Sequence, residues 1–220
     1  MPLPGKGMLL TSMDIDPSDE AEFNRWYDRE HLAERVAIDG FIEARRYVAH
    51  DASPKYLSLY STETFEVLTS TAYQAALANQ TEWSLKVIAR FRNMIRSVAR
   101  ITISRGQGRG SAIGMVRIRP GVNANELRAR LREALDPAAL DGIVSMHLIE
   151  GDPMLSRPLG VPDADTAGAG DWFAFIDGTD VDAIARATAG RFDQALAVTS
   201  SLMIASGTYR LMWDLTKSDL

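Results

Sequence analysis

Cysteine is absent from this chain of 220 residues, which excludes disulfides, thiolate nucleophiles and cysteine-ligated zinc or iron–sulfur centres. Histidine is scarce: only His31, His50 and His147 occur, and no two stand at the spacing by which one helix offers two metal ligands. No metal site is therefore expected. No run approaches the roughly 20 apolar residues that span a bilayer, and the stretch Met1-Pro2-Leu3-Pro4-Gly5-Lys6-Gly7 lacks the basic segment and apolar core of a secretory signal. The expectation is a cytoplasmic protein with no membrane partner. There is also no long block of like charge. The 24 basic and 29 acidic residues are interspersed, for a net charge of -5, which is poor material for a nucleic-acid surface. A local basic run, Arg90, Arg92, Arg96, Arg100, Arg105 and Arg109, reads as the solvated back of a helix followed by a linker.

What is present is an ordinary globular composition, 46% hydrophobic and 24% charged, enough to bury a substantial core. Residues 7–13 suit a buried strand. Asp16-Pro17-Ser18-Asp19 then reads as a helix start, with Asp16 as N-cap and Pro17 at the first helical position. The helix runs to about Ala37 and is stopped by Asp39-Gly40. Residues 41–49 alternate Ile42, Ala44, Arg46 and Val48 with Phe41, Glu43, Arg45 and Tyr47, as a strand does. A turn at Asp51-Ala52-Ser53-Pro54 leads to a second strand, 55–61, in which Leu57 and Leu59 alternate with Tyr56, Ser58 and Tyr60. On this reading the aliphatic face of the hairpin meets the helices. The other face, carrying Glu43, Arg45, Tyr47, Tyr56, Ser58 and Tyr60, is unusually polar. Helices over 64–79 and 84–98 and a strand over 99–104 complete the unit.

Arg105-Gly106-Gln107-Gly108-Arg109-Gly110-Ser111 lacks the Lys-Ser/Thr ending and following helix of a phosphate loop, so it reads as a linker. The order then repeats. A strand at 112–119 precedes a helix capped by Asn123 with Glu126 and carrying Leu127, Leu131 and Leu135. Strands at 142–150 and 171–178 flank a long loop, 151–170, whose length suits a lid and whose Gly-, Pro-, Asp- and Ala-rich composition suits plain disorder equally well. A helix from Thr179-Asp180 to about Ala197 and a strand at 206–215 follow. The expected fold is α+β: two tandem ferredoxin-like βαββαβ units, 1–105 and 112–220, joined by 106–111, whose antiparallel sheets cover each other in an α/β barrel. A polar sheet face enclosed between them would form a small-molecule cavity.

The run Glu22-Phe23-Asn24-Arg25-Trp26-Tyr27-Asp28-Arg29-Glu30-His31-Leu32, with Gly40-Phe41, Ala44-Arg45-Arg46-Tyr47, Lys55-Tyr56-Leu57 and Leu59-Tyr60, resembles the dimeric α/β-barrel superfamily and, within it, EthD-like proteins. The resemblance covers residues 7–104; the second half matches in element order. It implies a barrel cavity with His31 at its mouth and Tyr27 and Asp28 as motif neighbours. The superfamily includes isomerases, cyclases, decarboxylases, cofactor-independent monooxygenases and haem-binding branches. It usually builds its barrel from two chains, so a homodimer is compatible with the resemblance, although this chain carries both halves.

The spacings of Asn24, Tyr27, Asp28, His31 and Arg35 place them on one helix flank. His31, with an ordinary pKa near roughly 6.5, is the group best suited to take and return a proton, and Asp28 would orient it. The competing reading is a helix histidine satisfying a backbone carbonyl. Arg45 would clamp an anion while Tyr47 or Tyr27 donates a hydrogen bond, or Arg45 pairs with Glu43 or Glu30. Asn24, Tyr56 and Tyr60 would complete the substrate contacts, with core packing as the alternative for the tyrosines. Trp26 and Trp83 are assigned to packing, His50 to solvent and His147 to a half-buried structural role. The expectation is an enzyme without cofactor acting by acid/base chemistry on a small cyclic or aromatic metabolite, of isomerase, cyclase or lyase type. A cofactor-free monooxygenase and a non-catalytic ligand binder are the alternatives.

Overall fold

The computed structural model describes residues 2–157 and 168–220. Strand β1 (Gly7–Asp14) leads into a helical stretch of three segments: α1 (Glu20–Trp26), a π-helical turn (Tyr27–His31) and α2 (Leu32–Ala37). The helix begins later than Asp16-Pro17 suggests, because residues 16–19 are taken up by a turn in which the Asp19 N–H donates to the Asp16 carbonyl. Gly40, at φ +84°, turns the chain into β2 (Phe41–Ala49), and a Cβ there would stand 2.4 Å from Val67 Cγ2. Strand β3 (Tyr56–Thr62), a 3-10 turn (Phe65–Thr69), α3 (Thr71–Ala78), α4 (Glu82–Ile88) and the long β4 (Arg92–Gly106) finish the first half. The helix expected over 84–98 ends at Ile88. Its last residues instead open β4, where Ile95, Ser97, Ala99 and Ile101 face the barrel side and alternate with Arg96, Val98, Arg100 and Thr102, of which only Val98 is buried, under the helices.

The second half comprises β5 (Ala112–Arg119), α5 (Ala124–Ala134), β6 (Ile143–Gly151), β7 (Trp172–Gly178), α6 (Val181–Thr188), α7 (Asp193–Val198) and β8 (Leu202–Thr216). Asn123 caps α5 as its sequence suggests, its Oδ1 accepting from the Glu126 N–H. The helix expected over 179–197 is broken at Gly190, which has a positive φ. The middle of the 151–170 loop lies outside the described residues. Among the described residues, no helix is long and apolar enough to cross a membrane.

The eight strands close into one antiparallel barrel in the order β1-β3-β2-β8-β5-β7-β6-β4. Its interior is packed with side chains, among them Met8, Leu10, Leu57, Leu59, Met115 and Phe175. The helices cover the outside and form two further cores, one for each half.

The interior corrects the expected strand faces. The β2–β3 register pairs Ala44 with Tyr60 and Val48 with Tyr56, and Arg45 with Leu59 and Tyr47 with Leu57. Opposed residues share a face. Leu57 and Leu59 therefore point into the barrel with Arg45 and Tyr47, and Tyr56, Ser58 and Tyr60 point out under the helices.

Candidate active site

The cavity lies outside the barrel, between its wall and the first-half helices. It measures about 100 Å³, room for one small ring. Leu9, Thr11 and Met13 of β1 and Tyr60 of β3 form its floor, and Trp26, Tyr27, His31 and Arg35 overhang it. Tyr73 and Gln80, from α3 and beyond, and Arg96 of β4 close its sides.

The π turn is what aims His31 inward. Its defining bond runs from the Leu32 N–H to the Tyr27 carbonyl, five residues back, and the widened turn stacks the His31 ring on Trp26 at 4.1 Å between centroids and 28° between planes. Tyr27 and Tyr60 meet the imidazole edge-on at 5.2 and 6.3 Å. Trp26 is held in place by its indole N–H, which donates to Ser84 Oγ at 3.0 Å. The His31 Nδ1 is sealed from water and makes no hydrogen bond to any described residue. Burial, reinforced by the charges of Arg35 and Arg46, pushes its pKa well below the ordinary value. The imidazole is thus neutral at pH 7, and one of its two ring nitrogens carries a lone pair that can take a proton. The Tyr60 phenol is pushed the other way, chiefly by burial, and stays protonated. The Thr11 hydroxyl lies buried without a hydrogen-bond partner on the same floor.

Of the residues singled out from sequence, His31, Tyr27 and Tyr60 meet at this cavity. Asn24, Asp28 and Tyr56 gather instead around Arg46. The Arg46 guanidinium donates to Asn24 Oδ1 at 2.5 Å and to Asp28 Oδ1 at 3.2 Å, and it lies 4.2 Å from the Tyr27 ring centroid and 5.3 Å from that of Tyr56. Asp28, exposed and also bound by the Trp213 indole N–H at 2.9 Å, does not touch His31 through any hydrogen bond seen here. Arg45 and Tyr47 sit inside the barrel, across the sheet from His31. Arg45 pairs with Glu43 at 2.6 Å and approaches Asp177 at 3.7 Å.

His50 is exposed, as expected. His147 is fully buried rather than half-buried, between the Ser104 and Ser145 hydroxyls at 3.0 Å each. Arg96, read from sequence as part of a solvated helix back, lines the cavity and donates to the carbonyls of Leu155 and Arg157. Trp26, assigned to packing, does pack but also walls the site. Arg35 and Gln80 went unassigned. Arg35 had a signal, four residues after His31 on the same helix, but Gln80 had none.

No three His, Asp or Glu residues cluster as metal ligands among the described residues. A haem does not fit here: a space of about 100 Å³ beneath a histidine already stacked on Trp26 has no room for a macrocycle.

The closed eight-stranded sheet with helices outside is the dimeric α/β-barrel fold, built here from a single chain. Neither protein-family models nor curated proteins give a sequence match. Among solved structures, an anthrone oxidase-like protein is similar at TM-score 0.63 and 12% identity, over 98% of this chain and 94% of that one. A provisionally named monooxygenase from Lactobacillus acidophilus NCFM is similar at TM-score 0.59 and 8% identity, over 97% of each chain. A mutant chlorite dismutase from Candidatus Nitrospira defluvii, solved with cyanide, is similar at TM-score 0.56 and 10% identity, over 96% of this chain and 92% of that one. At such identities the likeness is one of fold.

Proposed function

We propose that the protein is a small-molecule enzyme in which His31 removes a proton from a weakly acidic cyclic or aromatic substrate. The observation that carries this reading is a neutral His31 that lines a cavity of single-ring size and has no hydrogen-bond partner on its buried Nδ1. A neutral imidazole takes the proton, and the Tyr60 phenol donates a hydrogen bond to the enolate or phenolate oxygen that results. Tyr27 packs the imidazole edge. Asn24, Asp28 and Tyr56 act through Arg46, whose charge favours neutral His31. Arg45 and Tyr47 take no part in this scheme.

Return of the proton at another atom gives isomerisation, and loss of a leaving group gives a lyase reaction. A second reading is supported by the names of two similar structures, a provisionally named monooxygenase and an anthrone oxidase-like protein. There the carbanion meets dioxygen. A ring methylene becomes a carbonyl and one water is released, so the four electrons come from the substrate carbon and no reductant is needed.

The test is deuterium exchange. Enolisable cyclic ketones and phenols incubated in D2O with the protein should exchange at the acidic position, and His31→Gln should slow exchange on the order of 10²–10⁴-fold. Exchange undiminished in that variant would refute the base. Oxygen uptake with the same compounds separates the two fates.

A further inference from the structure

Four arginines lie in the first-half sheet or the helices over it, Arg45 on its inner face, and their partners differ. Arg45 faces Glu43 and Asp177, Arg46 binds Asn24 and Asp28, and Arg96 is held by two backbone carbonyls and the Tyr73 hydroxyl. Arg35 is only 5% exposed, and among the described residues the hydrogen bond its guanidinium makes is to a neutral group, Gln80 Oε1, at 3.2 Å. No carboxylate of the described residues lies within ion-pairing distance of it. The Glu34 carboxylate feels its charge without forming an ion pair with it; a buried guanidinium without an ion-pair partner is costly, and an anionic ligand relieves that cost.

The position of Arg35 is equally specific. Together with Gln80 it lines both the inner cavity and an open outer depression bounded by Glu34, Ala37, Ala76 and Asn79. The Arg35–Gln80 hydrogen bond therefore forms the partition between the site and solvent on the α2–α3 side. Gln80 offers a carbonyl that holds the guanidinium and an amide N–H2 that can donate to a second oxygen.

We propose that Arg35 is the anion-recognition residue of this site, and that the substrate is a small cyclic monocarboxylate entering between Arg35 and Gln80. Its carboxylate stays on these two residues while its ring lies against His31 and Tyr60. The substrate assignment rests on the base reading of His31, but anion recognition does not.

Calorimetric titration of the full chain with benzoate and with benzamide, its neutral isostere, tests this without any turnover. Benzoate should bind at least ten-fold more tightly than benzamide. Arg35→Gln should abolish that preference by weakening benzoate alone, Arg35→Lys should restore part of it, and His31→Gln should leave it intact. Thermal melts of each variant verify folding, and the wild-type preference stands as a test on its own. Equal affinity for the two probes, no binding of either, or an unchanged preference in Arg35→Gln would each overturn the proposal. A benzoate preference that survives alongside exchange unaffected by His31→Gln would remove the base and keep the anion site.

Discussion

Trp26 and His31 stand five residues apart, which in a regular α-helix would turn their side chains about 140° away from each other. They stack because the turn between them is π-helical. The sequence placed Asn24, Tyr27, Asp28, His31 and Arg35 on one flank by assuming regular geometry. The π turn divides that set, sending Tyr27, His31 and Arg35 to the cavity and Asn24 and Asp28 to Arg46. That His31 lines a cavity was thus legible, but which neighbours share it was not, since a π turn leaves no periodic mark. At this scale the pH profile is the informative measurement. The base we propose, His31, can act only when neutral, and its lowered pKa keeps it neutral below the ordinary value of about 6.5. The acid limb of kcat/KM should therefore fall below pH 6.5. Arg35→Gln removes a positive neighbour that holds the pKa down, so the limb should move toward neutrality.

Elements place these residues through a few cross-helix bonds. Ser84 of α4 accepts from the Trp26 indole and donates to Glu30 Oε1 at 3.2 Å, and Thr81 also donates to that oxygen, at 2.6 Å. This cluster fixes the overhanging helix against α4, and Ser84 is fully buried. Ser84→Ala leaves the indole N–H unsatisfied and should cost about 1–3 kcal/mol in denaturant unfolding, with a loss of exchange activity as Trp26 and the stacked His31 shift. The same scale shows why strand order was readable and strand facing was not. Alternation separates Tyr56, Ser58 and Tyr60 from Leu57 and Leu59 correctly, but both sets are buried. Phenol oxygens made the tyrosines look like a cavity lining inside the barrel. Only the register with β2, a non-local fact, assigns them to the helix side.

For the whole molecule, the repeated βαββαβ order predicted the barrel, and the seams β2–β8 and β4–β6 join its halves without a second chain. The sequence placed Glu43 and Arg45 on the enclosed face and allowed their pairing, which the structure shows; it did not show that His147 and Asp177 of the second half join them. Glu43, Arg45, His147 and Asp177, drawn from both halves, are all at least 95% buried, and Arg45 is the cation between two carboxylates. Arg45→Met would leave Glu43 with only the more distant Arg109, at 3.7 Å, and Asp177 with the Gly110 N–H and the neutral His147, and urea melts should show a loss of about 3–5 kcal/mol.

The network also makes stability depend on pH. Burial is the largest influence on His147; it lowers the pKa, as does Arg45, while Asp177 and Glu43 pull the other way without cancelling it. His31 is lowered as well. For each, the unfolded chain binds a proton more readily than the folded one. Stability is complete above pH ~6.5 and is lost as pH falls from there through the folded-state values, at no more than about 1.4 kcal/mol per pH unit for each group. His147→Gln should flatten this slope without touching the cavity, and the double variant with His31→Gln should flatten it further. Urea midpoints measured from pH 7 to pH 5 check both. A midpoint that rises on acidification in the wild type would mean that the buried histidines are held charged by Asp177 and its neighbours.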